Sequence, residues 1–165
     1  MRYILIDRFL ALELGQLARA VKCVTLGEPF LAELSEYPST LVLEGLLQTG
    51  GMLARASTGF KRMSVLGSVS KAEFPEAARP GDRITFEVRV AHAREEGTLC
   101  EGVATVEDRV VGRAEFMIVY VPTEMTPPMS AAVYQQRKEL MRAWGLTNVE
   151  LPPLEADRCV EEEEA

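Results

Sequence analysis

The segment Tyr37–Leu53, YPSTLVLEGLLQTGGML, decides how the chain is read. A proline and two small hydroxyl residues precede a run in which nearly every side chain is apolar. That order predicts a helix capped by Ser39 or Thr40 and continuing to about Ser57. Such a helix is apolar almost all round, the mark of burial on several sides. Gly45, Gly50 and Gly51 each lower helix propensity by roughly 1 kcal/mol, which makes sense where another backbone or a ligand must come close.

Into the first turns comes one carboxylate, Glu44, with Gln48 a turn later. An ionised carboxylate buried without a partner costs several kcal/mol, so Glu44 demands an explanation. At 100° per residue, Gln48, Gly51 and Arg55 fall within about 40° of Glu44 and form a narrow polar stripe. A stripe of this kind fits a water-filled groove. Arg55 lies roughly 16 Å along the axis from Glu44, too far for an ion pair within one helix. Across an antiparallel dimer the two could meet. Structural and ligand-facing uses of Glu44 both remain open at this point.

Working outward, residues 2–14 and 17–26 read as two strands joined at Gly15. After the helix the period changes to two. MSVLGSVSKAEF is one strand, RPGD (79–82) a turn, and ITFEVRVAHAR sets Ile84, Phe86, Val88 and Val90 against Thr85, Glu87 and Arg89. Gly97 opens a further strand, and Glu107-Asp108-Arg109 turns into the last one, so the long strands form an antiparallel meander. Two strands, one buried helix and then more strands fit an α+β fold in which a long curved sheet wraps one central helix. Beyond residue 121 a proline linker leads to SAAVYQQRKELMRAWG, with Val133, Leu140, Met141 and Trp144 at roughly helical spacing and a stop at Gly145. The expected organisation is a main domain over 1–121, a linker and accessory helix over 122–146, and an acidic tail over 147–165, expected to be disordered.

The 165 residues, 47% hydrophobic, suffice for one domain with a proper core. No stretch reaches the roughly 18 apolar residues of a membrane span. The start, MRYILIDRFL, is broken by charges and lacks a cleavage site, which predicts no signal peptide and a cytoplasmic protein. Cys23, Cys100 and Cys159 are odd in number and far apart, so buried or inert thiols are expected rather than disulfides or a zinc site. Of the net charge of −7, −5 falls in residues 155–165. A basic stripe is lacking, which argues against nucleic-acid binding. No metal or cofactor is expected.

Five segments in order, YILIDRFLALELG, KCVTLGEPF, LVLEGLLQTGGML, AEFPEAARPGDRITFEVRV and GVATVEDRVVGRAEFMIV, carry a resemblance. Over roughly residues 2–121 the chain resembles the 3-hydroxyacyl-acyl-carrier-protein dehydratases of bacterial fatty-acid synthesis, which have the hot-dog fold. The resemblance implies a general acid/base pair shared across a dimer interface. A histidine in an H-F-P-G-x-P motif takes the C2 proton, a carboxylate on the central helix helps the hydroxyl leave, and a glycine N–H after the proline holds the thioester oxygen. Glu44 matches the carboxylate and Gln48 the glutamine that commonly follows it.

The histidine has no match. Counting back from Glu44 lands on Phe30, and counting forward from EPF (28–30) lands near Leu34, in a loop about four residues shorter than usual. LAELSE replaces the motif, and no glycine occurs between Gly27 and Gly45. The only histidine, His92, lies at the end of a strand, expected well away from the helix start. Loss of the base slows such chemistry by about 10²–10⁴, and loss of an oxyanion donor by a further ~10²–10³.

The expectation is therefore a dehydratase-like protein, degenerate in the histidine, that binds an acyl thioester on a carrier protein or coenzyme A, or serves as a partner subunit. In one version Glu44 completes a site whose histidine comes from an intact dehydratase in a hetero-oligomer. The alternative is an active hot-dog enzyme, an acyl thioesterase or weak dehydratase, with Glu44 as its catalyst. Gln48, Phe30, Leu34 and Gly51 are the expected substrate-binding residues. Lys61, Arg62, Arg79 and Arg83 could meet an acidic carrier protein, but ordinary surface charge is the better account of them. A homodimer with a continuous sheet, or a higher assembly, is the minimal expected form.

Overall fold

The computed structural model describes residues 4–28, 31, 35–121, 131–146, 149 and 151. Among the described residues, six strands and two helices follow in the order β1 (Arg8–Glu13), β2 (Leu17–Cys23), α1 (Ser39–Ser57), β3 (Ser64–Glu73), β4 (Arg83–Ala93), β5 (Gly97–Val106), β6 (Arg109–Tyr120) and α2 (Ala131–Ala143). The strands form one antiparallel sheet in the order β1-β2-β4-β5-β6-β3, with α1 packed against it. This is the α+β hot-dog arrangement expected from the sequence, with α2 as its accessory helix.

The meander is β4-β5-β6, held by local turn chemistry. Gly81, at φ +100°, turns the chain into β4, where the Asp82 N–H donates to the Arg79 carbonyl at 2.9 Å. Between β5 and β6, Glu107 adopts φ +53°. β3 does not join its neighbour in sequence. It crosses to the far side and pairs with β6, Ser64 opposite Tyr120 and Glu73 opposite Arg113. Past Ser64 its side chains are exposed throughout, leaving Val65, Leu66 and Val69 on an open edge beside Met117 of β6.

The first two strands are shorter than the sequence predicts. Asp7 still donates its N–H to the Val21 carbonyl at 2.9 Å, but before it the Leu5 N–H turns to the Gln48 side chain and the Ile6 carbonyl to the Trp144 ring N–H. Gly15, at φ +71°, makes the expected turn between β1 and β2. The helix start also differs from expectation. Pro38 takes the cap position, and Ser39 and Thr40 are the first, exposed helical residues. A tertiary bond sets the boundary, since the Tyr37 N–H donates to the Ala78 carbonyl at 2.7 Å and holds the preceding residue extended.

Every residue from 41 to 56 is buried or half-buried, as an apolar helix inside a curved sheet must be. The glycines mark where the sheet presses closest. A Cβ at Gly45 would stand 2.3 Å from the Phe86 ring, and one at Gly50 would stand 2.7 Å from the Phe116 ring. Both phenylalanines are fully buried, on β4 and β6. Close approach was expected, and its agent is an aromatic ring rather than a backbone.

Candidate functional site

The polar stripe of α1 faces away from those rings and forms one wall of a cavity of about 490 Å³. Glu44, Gln48, Gly51 and Arg55 all line it. Glu44 is half-buried rather than sealed in the interior, which removes most of the penalty that its apolar neighbours in sequence imply. Its Oε1 accepts from the Gln48 Nε2–H at 2.9 Å, and the Gln48 Oε1 accepts from the Leu5 N–H at 3.0 Å. Gln48 therefore fixes the carboxylate and ties the amino-terminal segment to the helix. An added Cβ at Gly51 meets nothing within 4 Å among the described residues, so this glycine gives room to the cavity.

Arg55 is anchored at the other end of the stripe. Its Nε–H donates to the Ser64 Oγ at 3.1 Å, and a terminal nitrogen donates to the Ser64 carbonyl at 3.3 Å. The helix end is thereby fastened to the start of β3. Between the two polar ends the wall is apolar, with Leu47, Met52, Phe60, Val65 and Ile118. Such a volume lies in the range of small-molecule sites, which join apolar walls with a few placed polar groups.

A further part of the lining comes from α2 and the residues after it. Arg137, Leu140, Met141 and Trp144 face the cavity. The Trp144 Nε1–H donates to the Ile6 carbonyl at 2.8 Å, and its carbonyl accepts from the Phe9 N–H at 3.0 Å. The Phe9 and Trp144 rings meet edge to face with centroids 5.3 Å apart. At Gly145, φ +76°, the helix closes with bonds from Gly145 to Arg142 and from Leu146 to Met141. The sequence shows this apolar stripe, but not that it faces Glu44; periodicity tells which residues share a face and is silent on what the face meets.

Phe30 and Leu34 lie outside the described residues, as do Cys159 and the acidic run 152–165. His92 is exposed on β4, beyond Val88, which packs on the middle of α1, whereas Glu44 stands near the helix start. Cys100 is buried, and burial pushes its thiol up to about 12, which leaves it protonated and unreactive. Cys23 is a free, exposed thiol at the end of β2, where the strand leaves the core. Two of the basic residues considered for a carrier protein have partners nearby. Arg62 donates to the Glu95 carbonyl and lies 5.1 Å from the Tyr120 ring centroid, while Arg79 pairs with Glu36 at 3.0 Å. Among the described residues no three His, Cys, Asp or Glu side chains gather as metal ligands would, and no helix is long and apolar enough to cross a membrane.

Comparison with known proteins places this geometry in context. Residues 2–115 match the family model described as a FabA-like domain. The 3-hydroxyacyl-acyl-carrier-protein dehydratase FabZ of Coxiella burnetii is 33% identical over 125 residues, covering 71% of this chain and 88% of the relative. The Caulobacter vibrioides enzyme of the same name is 36% identical over 129 residues, covering 73% and 80%. Among solved structures, the dehydratase heterocomplex ApeI:P of Xenorhabdus doucetiae superposes with a TM-score of 0.63 at 13% identity, covering 73% of this chain and 85% of that one. A Streptococcus mutans protein bound to acetyl CoA gives 0.63 at 16% identity, covering 73% and 93%. At such identities the two structures speak for the fold alone.

Proposed function

The chain belongs to the FabA-like domain family, related to the dehydratases of fatty-acid metabolism, and from that premise we propose that it binds an acyl thioester in the cavity beside Glu44 without acting as a complete dehydratase. The observation that carries this reading is the Glu44–Gln48 pair on the wall of a mostly apolar cavity, in a chain whose one histidine is exposed elsewhere on the sheet. The apolar walls suit an acyl chain, and the hydrogen-bonded carboxylate suits its polar end. Proton removal beside a thioester needs a base as well as an acid, and one half of that pair is all the chain supplies.

Two assembly features belong to the proposal. The exposed apolar edge of β3 supports a dimer in which two sheets become continuous. A hetero-oligomer with an intact dehydratase would bring a histidine to Glu44, and the heterocomplex among its structural neighbours makes that assembly reasonable to test. The decisive experiment offers the purified protein 3-hydroxyacyl and saturated acyl thioesters of coenzyme A and of carrier protein, measuring binding, dehydration and hydrolysis. Binding without turnover is expected, with dehydration appearing only when an intact dehydratase subunit is co-expressed. Dehydration by the chain alone at the rate of its FabZ relatives would overturn the reading.

The fixed orientation of Glu44 by Gln48 favours one competitor, a thioesterase in which Glu44 attacks or activates water. Hydrolysis of the same panel, lost in Glu44→Gln, would establish that alternative.

A further inference from the structure

The family match ends at residue 115, whereas α2 begins at Ala131. One wall of the cavity therefore comes from a segment outside the matched domain. That wall is a docked element rather than a passing tail. Trp144 is 8% exposed, joined by two hydrogen bonds to residues 6 and 9, and followed by Leu146 at 5%. Residues 5 and 6 complete the joint, because Leu5 bonds Gln48 on α1 while Ile6 bonds Trp144 after α2. The two walls are thus tied at one level, close to the Glu44–Gln48 pair.

From that joint, Leu140 lies one helical turn back, about 6 Å along α2. It is half-buried, lines the cavity and stands on the same stripe as Trp144. Its side chain belongs to the apolar part of the lining, along which an acyl chain would run. We propose that α2 is an integral wall of the ligand site and that Leu140 gauges the length of acyl chain accepted. This rests on the acyl-thioester reading above and adds the element that sets specificity. Truncating Leu140 adds room for the chain, and enlarging it removes room. A pocket that gains or loses room for one or two methylenes changes discrimination by about tenfold or more.

The chain provides its own reporter, since Trp144 is the single tryptophan and lines the cavity. Butyryl, hexanoyl, octanoyl and decanoyl thioesters, each on coenzyme A and on carrier protein, are titrated against Trp144 emission, with calorimetry in parallel. Leu140→Ala is expected to move the preferred chain longer and Leu140→Phe to move it shorter, each by at least tenfold in the ratio of affinities between neighbouring lengths. Glu139→Ala, on the exposed face of the same helix, keeps the wild-type order. Circular dichroism and native Trp144 emission confirm that each variant is folded. Wild-type binding with a length preference that neither Leu140 variant moves would overturn the gauge and leave the acyl-thioester reading standing. Failure of the wild type to bind any thioester on either carrier would overturn both.

Discussion

The two faces of α1 obey opposite rules within a single helix. Toward the sheet, Gly45, Leu46, Gly50 and Leu53 are buried, and an added methyl at Gly45 or Gly50 collides with the ring of Phe86 or Phe116. Toward the cavity, Glu44, Gln48, Gly51 and Arg55 keep polar groups and open space along three turns. Gly50 and Gly51 are adjacent, yet one is a packing requirement and the other a vacancy in the wall. The contrast separates what maintains the fold from what is free to serve a ligand.

The largest test of that contrast compares Leu46 with its neighbour Leu47. Leu46→Ala, at a fully buried position, should cost about 2–5 kcal/mol. Leu47→Ala, at the half-buried cavity wall, should cost less than half as much. Urea midpoints measured at constant m read both, and equal losses would show that the cavity face is as tightly packed as the core. Next come the glycines, where opposite signs are expected. Gly45→Ala forces the buried Phe86 ring to shift and should destabilise by about 1–3 kcal/mol. Gly51→Ala, in open space within a helix, should stabilise by about 0.5–1 kcal/mol.

Smaller still is Glu44→Gln, whose amide oxygen can go on accepting from Gln48. Its stability should stay within about 0.5 kcal/mol of wild type in the same assay, as expected where a half-buried polar group is replaced conservatively. A large loss would make the carboxylate structural. The smallest effect concerns Glu87, a carboxylate of the sheet that serves as the control for Glu44. A hydrogen bond from Arg19, opposed in part by burial and reinforced by Arg89, holds its carboxyl below the usual range. A depressed folded pKa adds stability above the unfolded value near 4.5 and loses it as pH falls through the folded pKa. Glu87→Gln should therefore flatten the decline of stability below about pH 4.5, by about 0.5 kcal/mol or less for so exposed a pair. Urea midpoints at pH 7 and pH 3 would detect it, and an unchanged acid slope would remove Glu87 from the account.

Much of the fold was legible because the cues were local. Alternation at Ile84, Phe86, Val88 and Val90 predicted one face of β4; the first three are fully buried and Val90 packs half-buried against the core. RPGD and Glu107-Asp108 marked turns that the backbone makes at Gly81 and Glu107. The polar stripe from Glu44 to Arg55 followed from helical spacing, and its four residues do share one cavity wall. Less legible was the helix start, where Ser39 and Thr40 looked like caps but a bond from Tyr37 to Ala78, far along the chain, set the boundary at Pro38.

By itself the sequence determined most of the elements and their buried faces, since propensity and period are read over a few residues. Only the tertiary structure decided that β3 crosses to β6 and leaves an apolar edge, and that the stripes of α1 and α2 line one cavity. Each of these depends on which surface meets which across many residues of chain. That choice is made by burying apolar area against the entropy of closing the loops, a balance no local pattern encodes.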